Sequence, residues 1–304
     1  MKPMKPPFSY YGGKQRMASK IIPYIPKHTV YVEPFCGSAT LLFRKPWPDV
    51  TNTHHYREYI NDKNELVINF FRQLALGNQD LINYLNIMPY SESEYERAKE
   101  VCKNPEKYNE TEKAIGFYTN IQQSFSSKLN RGWGRIIYSK NLQITWNGNK
   151  DLTEYVSRMQ SVGITCQDAL TVIKQYDSPQ TFFYCDPPYP GTDQGHYSGY
   201  AESDLKNFVD LLTISKGSAI VSCYNHDHLF DPNVWKKAEF QASCSAKGRV
   251  GYDRSKKCDE SNQNRKRAEV IYIKQAFKPR EEIQKLYDSG KFDCFEGREG
   301  HMIG

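Results

Sequence analysis

The chain lacks any run of about 18 apolar residues, the length a membrane-spanning helix needs, so no such helix is expected. Its opening stretch, MKPMKPPFSYY, lacks the apolar centre of a secretory signal, and a cytoplasmic location is expected. The eight cysteines are scattered without a C-x-x-C pair, which argues against a zinc ribbon or a thioredoxin-like motif and fits reduced thiols. His54-His55 and His226-Asp227-His228 stand isolated in the sequence, so no metal is expected. G-x-G-x-x-G is absent too, and no internal repeat is found, which argues against a dinucleotide fingerprint and a repeat array.

What is present is a 304-residue chain with 38% hydrophobic and 13% aromatic content, including 22 Tyr. That suffices for one large packed domain, or for a core domain with a substantial insert. A net charge of +6 and a pI near 8.7 are compatible with a nucleic-acid partner without requiring one.

YYGGKQRMASKIIPYIP reads as a glycine turn and a helix over 15–22, ended by Pro23. TVYVEPFCGSATLLF reads as a strand, a turn over 34–38 and the start of a helix. YREYINDKNELVINFFRQL repeats the pattern, with a strand to Ile60, an acidic turn and a helix from Glu65. Consecutive β-α units of this kind predict a doubly wound, Rossmann-like α/β sheet. The alternation lapses over 77–161, where helical stretches (91–102 and 112–124) precede SSKLNRGWGRIIYSKNLQITWNGNK. An inserted, mostly helical domain carrying a β-hairpin is expected there. The alternation resumes with GITCQDALTVIKQY, QTFFYCDPPY, a helix over Glu202–Ile214, SAIVSCYNHD and a last strand, AEVIYIK. The expected sheet domain is therefore 1–76 plus 162–276, the insert 77–161, and a C-terminal appendage 277–304.

Several acids fall at the ends of expected strands. The turn at 34–38 offers backbone N–H groups and a helix start, which suit a polar or anionic ligand. Asp62, 29 residues after Glu33, could accept both hydroxyls of a ribose; its plain alternative is a helix cap, for which Asn61 and Asn64 also qualify. Asp168 follows the next strand and could accept from an adenine amine or cap ALTVIKQY. In open α/β sheets, the carboxyl edge of the strands is where ligands sit. The stretch FFYCDPPY is the most specific. Pro187 and Pro188 fix φ and remove two N–H donors, leaving acceptors only: the Asp186 carboxylate and a proline carbonyl. Two acceptors hold an –NH₂ group, and Tyr189 offers a flat face for a planar ring. The plain alternative is a rigid turn that ends a strand.

FSYYGGKQR, VEPFCGSATLLF, YINDKN, CQDAL and FYCDPPY, in that order and with an insert before the last two, resemble the Dam-type, alpha-group DNA adenine-N6 methyltransferases. The resemblance covers 8–274. It implies S-adenosylmethionine as cofactor and double-stranded DNA as partner, and it admits a companion restriction endonuclease. It also implies roles at matching positions. Tyr10, Tyr11 and Lys14 would close over the methionine end of the cofactor, and Glu33, Phe35 and Gly37 would lie around that end. Asp62 would hold the ribose and Asp168 the cofactor adenine. Asp186 and the Pro187 carbonyl would bind the target amine, and Tyr189 would stack on a flipped base. The insert would recognise the target sequence, although 77–161 cannot be matched residue by residue.

No Pro-Cys dipeptide occurs, so the covalent route of carbon-5 cytosine methylation is not expected. Lys128, Arg131, Arg135 and Lys140, set among Trp133, Tyr138 and Trp146, read as a basic aromatic hairpin for DNA, or as an ordinary solvated one. Lys247, Arg249, Arg254, Lys256 and Lys257 form a second basic set in a polar loop. Rival readings keep the fold and change the substrate to a cytosine 4-amino group, an RNA base, a small molecule or a protein amide. A further rival keeps the fold as an inactive DNA-binding scaffold.

Overall fold

The central strands are those whose sequences are apolar almost throughout. The computed structural model describes residues 3–46, 56–124, 127, 129–134, 152–190, 199–240 and 269–275. Among these, β1 (Val30–Glu33), β2 (Arg57–Asn61), β3 (Val162–Thr165), β4 (Thr181–Cys185), β5 (Ser218–Cys223), β6 (Trp235–Phe240) and β7 (Glu269–Lys274) form one sheet. Its order is β3-β2-β1-β4-β5-β7-β6. Strands β1 to β5 pair in parallel, and β7 runs antiparallel to both β5 and β6. Every residue of β4 (TFFYC) and β5 (SAIVSC) is buried, as a parallel sheet covered on both faces requires. The sheet is thus the Rossmann-like methyltransferase arrangement expected from the alternating units. The chain winds outward from β1 through β2 to β3, then crosses to β4 on the other side of β1. The switch point of the sheet therefore lies between β1 and β4.

Strand β6 was not expected from the sequence. Its run WKKAEF carries Lys236, Lys237 and Glu239, which suit an outermost strand whose free edge must not recruit another chain. The first helix is shorter than 15–22: α1 spans Ala18–Ile21 and passes into a 3₁₀ turn, Ile22–Tyr24, that contains Pro23. The Lys14 carbonyl accepts from the Met17 and Ala18 amides, so residues 15–17 are spent on the turn that precedes the helix.

Helices α2 (Thr40–Arg44), α3 (Glu65–Ala75), α4 (Gln79–Ile87), α5 (Glu92–Lys103), α6 (Glu110–Gln123) and α7 (Thr153–Met159) come before β3. Helix α6 starts on a capping box in which Asn109 accepts from the Glu112 amide and Glu112 accepts from the Asn109 amide. Phe8, Phe70 and Phe71 of α3, and Phe117 of α6 share one buried cluster, with Phe8 edge-on to Phe70 at 5.3 Å and to Phe117 at 5.2 Å. The helices expected in the insert therefore share one core with this face of the sheet. Arg158 of α7, also within 77–161, pairs with Glu58 of β2 at 2.5 Å. The opposite face is covered by α8 (Ala169–Tyr176) and α9 (Glu202–Ile214), whose Val172, Ile173, Leu205 and Phe208 pack on Phe183 and Val221. The expected appendage over 277–304 lies outside the described residues.

Candidate active site

Because β1 to β5 are parallel, their carboxyl ends share one edge of the sheet. Glu33 ends β1, Asp62 follows β2, Asp168 follows β3, and Asp186 follows β4. Strand β7 runs the other way, so its first residue, Glu269, reaches the same edge; Val270 is in register with Cys223, the last residue of β5. The antiparallel direction of β7 thus adds a carboxylate that the sequence pattern alone did not single out.

The loop after β1 is shaped by its neighbours. Gly37 has φ +48°, a left-handed conformation, and a Cβ there would meet the Tyr10 ring at 3.1 Å. Its amide donates to Asp62 Oδ2 at 2.9 Å, while Asp62 Oδ1 accepts from the Asn64 amide at 2.9 Å. The cap of α3 is Asn64, which accepts from the Leu66 amide at 3.1 Å, so Asp62 is not the cap. Asn61 does something different again. Its Nδ2 donates to the Pro34 carbonyl at 2.9 Å and the Gln167 carbonyl at 3.0 Å, and its Oδ1 accepts from the Thr165 hydroxyl and the Gln167 amide, both at 2.9 Å. One buried amide side chain thereby ties together the loops that follow β1, β2 and β3. The sequence marked it only as a candidate cap for the helix that follows, a role that Asn64 takes instead.

Glu33 is buried and accepts from the Tyr31 hydroxyl and the Leu42 amide, both at 2.7 Å. Burial pushes its carboxyl up to about 7, against those two bonds and the nearby Lys45. Phe35 sits edge-on to Phe208 at 5.2 Å. Asp168 is exposed and caps α8 through the Leu170 amide at 2.9 Å. Tyr11 is exposed beside the buried Tyr10.

The densest group of charges lies after β4. Lys14 Nζ is 2.8 Å from Asp186 Oδ1 and 3.3 Å from Glu269 Oε1. The Tyr189 hydroxyl lies 2.6 Å from Glu269 Oε1 and 3.2 Å from Asp186 Oδ1, and the Ser222 hydroxyl donates to Glu269 Oε1 at 2.9 Å. The Lys14 ammonium also stands 4.8 Å from the centroid of the Tyr189 ring, which meets Tyr224 edge-on at 4.6 Å. Burial disfavours the charge on Lys14, but Asp186 and Glu269 outweigh it and hold the lysine above its ordinary range. Burial raises the Asp186 carboxyl; Lys14 pulls it down and Glu269 pushes it up, for a net rise. Pro187 is buried directly after Asp186. The structure thus brings together Lys14, Asp186 and Tyr189, with Tyr10, Gly37, Glu33 and Asp62 along the same edge.

Of the residues expected to meet DNA, Arg131 and Trp133 are described. Arg131 is exposed, and its carbonyl accepts from the Tyr95 hydroxyl. Trp133 bridges antiparallel to Ser124 and packs on Tyr90 at 5.2 Å, which anchors the segment on the end of α6. Lys128, Arg135, Tyr138, Lys140, Trp146, Lys247, Arg249, Arg254, Lys256 and Lys257 lie outside the described residues. His226 and His228 do not stand isolated in space. Their ring nitrogens gather with the Glu202 carboxylate within 4.8 Å of one another, and His228 Nε2 is 2.5 Å from Glu202. The start of α9 and the loop after β5 meet there, a proximity that spacing along the chain does not reveal.

Comparison with known proteins bears on this arrangement. The DNA N-6-adenine-methyltransferase of Escherichia phage P1 is 24% identical over 222 residues, which is 68% of this chain and 28% of that protein. The retron Ec67 DNA adenine methylase of Escherichia coli is 21% identical over 210 residues, 66% of this chain and 70% of that protein. A family model matches residues 10–218, a span that holds Lys14, Glu33, Asp62, Asp168, Asp186 and Tyr189 and stops short of Glu269. On that match, this chain belongs to the D12 class of N6 adenine-specific DNA methyltransferases.

Proposed function

We propose that this chain is a site-specific DNA methyltransferase that moves the methyl group of S-adenosylmethionine to the 6-amino group of an adenine flipped out of duplex DNA. The observation that carries the reading is the Asp186 carboxylate at the β1/β4 switch point, followed by two prolines and set against Tyr189. The donor set along the edge suits a cationic, hydroxyl-bearing cofactor. Glu33 and Asp62 supply carboxylates, and Tyr10 closes on the loop at Gly37, where any side chain would crowd its ring. Asp62 would hold the ribose hydroxyls and Asp168 the adenine, with Tyr10, Tyr11, Lys14, Glu33, Phe35 and Gly37 around the methionine end. Bound there, S-adenosylmethionine supplies an electrophilic methyl group.

The chain's own residues do the rest. An adenine amine is a weak nucleophile because its lone pair is delocalised into the ring. Asp186 and the Pro187 carbonyl accept its two hydrogens, which favours a pyramidal nitrogen and aims the lone pair. The Tyr189 ring stacks on the extruded base, returning about 1–3 kcal/mol of the cost of flipping. Arg131 and Trp133, with the basic residues at 128, 135 and 140 and over 247–257, would contact phosphates and bases of the duplex. A companion restriction endonuclease would fit a sequence-specific enzyme of this kind.

The test is to incubate the purified protein with labelled S-adenosylmethionine and unmethylated duplex DNA, digest the product to nucleosides and weigh them. N6-methyl-2′-deoxyadenosine is expected. Asp186→Ala is expected to abolish transfer while cofactor binding survives. N4-methylcytosine, no labelled nucleoside, or full activity in Asp186→Ala would overturn the proposal.

A further inference from the structure

Lys14 already makes the contacts that a target base would need. Its ammonium donates toward Asp186 Oδ1, the acceptor assigned to the target amine, and lies against the Tyr189 ring, the face assigned to the base. An amine bound at Oδ1 with its ring on that side of Tyr189 would displace the ammonium. We propose that Lys14 is a resident stand-in for the target amine, and that Glu269 is the positioning residue that takes over its ammonium when the amine arrives. This rests on the reading of Asp186 as the amine acceptor.

The geometry makes the exchange short. Glu269 Oε1 is already 3.3 Å from Lys14 Nζ, so the ammonium changes its principal partner without crossing apolar space. Glu269 is held ready by the Tyr189 hydroxyl at 2.6 Å and the Ser222 hydroxyl at 2.9 Å. Before exchange, one ammonium is shared between two carboxylates. Afterwards, Lys14 and Glu269 form a pair, and Asp186 accepts one amine hydrogen while the Pro187 carbonyl accepts the other. Without the Glu269 charge, leaving Asp186 would leave an ammonium that is 7% exposed with the Gly12 carbonyl at 3.1 Å and no anion, at a cost the incoming base would have to overcome. The exchange follows binding of the duplex, so it acts on an internal step. It belongs to kcat rather than to the KM for DNA.

The experiment compares steady-state methylation of unmethylated duplex DNA, at saturating S-adenosylmethionine, by the full-length protein and its E269Q variant. Gln keeps an oxygen for the Tyr189 and Ser222 hydroxyls and removes the charge, with an amide –NH₂ in place of Oε2. The expected result is a fall in kcat of at least about fivefold, the size of one lost polar contact, with cofactor affinity and the KM for DNA held within about twofold. A second comparison repeats the substitution in a K14M background, where Asp186 and Glu269 face each other with no shared cation. There E269Q relieves repulsion, so kcat stays level or rises. A smaller fall in the first comparison overturns the proposal, as does an equal fall in both backgrounds, loss of cofactor binding in E269Q, or no measurable rate in K14M. Full activity in Asp186→Ala is a separate outcome. It removes the amine acceptor itself and takes this inference with it, whereas an inactive Asp186→Ala beside a fully active E269Q overturns the inference alone.

Discussion

Among the described residues, two largely buried clusters of lysine and carboxylate lie at this sheet, and they are opposites. At the open edge, one ammonium (Lys14) serves two carboxylates, Asp186 and Glu269, whose side chains are 19% and 12% exposed. Inside the fold, one carboxylate (Glu58, 5% exposed) serves two cations, Lys45 at 4% and Arg158 at 1%. The inner cluster is closed on all sides: Lys45 also donates to the Tyr56 hydroxyl at 2.9 Å and faces the Tyr31 ring, and Arg158 donates to the Leu42 carbonyl at 3.2 Å. The outer cluster has an excess of acceptors and a path to solvent. An ion group with no spare acceptor holds elements together, here α7 against β2. A group with a shared cation can accept another donor. Glu33 stands between the two, within the electrostatic reach of both Lys45 and Asp186.

The comparison breaks most decisively at Glu58. Burial alone would raise its carboxyl, but Lys45 and Arg158 hold it down at about 2. A carboxyl lowered on folding stabilises the folded chain above its ordinary value of 4.5, and that stability is lost as pH falls toward 2. Glu58→Gln leaves two buried cations without their anion and is expected to cost about 3–5 kcal/mol near neutral pH. Urea unfolding measures it, and the gap to the wild type should close in acid. Asp186→Ala is expected to do the reverse, losing transfer while the unfolding midpoint hardly moves. If the two variants lose stability equally, the distinction between a sealed cluster and an exchangeable one fails.

Glu33 gives an effect of opposite sign. Its carboxyl is raised from 4.5 to about 7, so the folded chain holds that proton more tightly than the unfolded chain does. The stability this provides is complete below about 4.5 and is lost as pH rises through about 7. Glu33→Gln keeps an oxygen for the Tyr31 hydroxyl and the Leu42 amide and removes the ionisation. The variant is expected to gain up to about 3 kcal/mol over the wild type at pH 8 and little at pH 5, read from unfolding curves at both values. A constant difference between the two would show that Glu33 does not ionise in this range.

These clusters also mark what was legible in the sequence. Asp62, Asp168 and Asp186 could be found because each lies within a few residues of the strand it follows, and strand ends are visible as apolar runs closed by turn residues. The helix from Glu65 was equally visible, since its cap at Asn64 is local, whereas α4 was not read although Asn78 caps it. Lys14 was found as a motif residue, but its partner Asp186 lies far along the chain, so its place on that carboxylate could not be read. Glu269 was missed because its position depends on the direction of β7, which the register with β5 decides. Arg158 was missed for a similar reason, since it belongs to the span expected for the insert and yet completes a charge group under β2. Strand β6 was missed because an edge strand needs charges that hide its alternation. Local chemistry was readable, and whatever depended on pairing between distant segments was not.

The smallest effect tests whether burial, rather than charge as such, separates the two clusters. Lys206 and Asp210 form an i,i+4 pair on α9 with a contact of 2.6 Å, little longer than the Arg158–Glu58 contact, but their side chains are 59% and 57% exposed. Water screens such a pair, and ordering two long side chains offsets most of its attraction. Lys206→Ala is therefore expected to change stability by less than about 0.5 kcal/mol and to leave methyl transfer unchanged. A loss comparable to that of Glu58→Gln would mean that proximity of opposite charges suffices. The sealed cluster would then owe nothing to its enclosure, and the open cluster could not be assigned to exchange on the ground of its exposure.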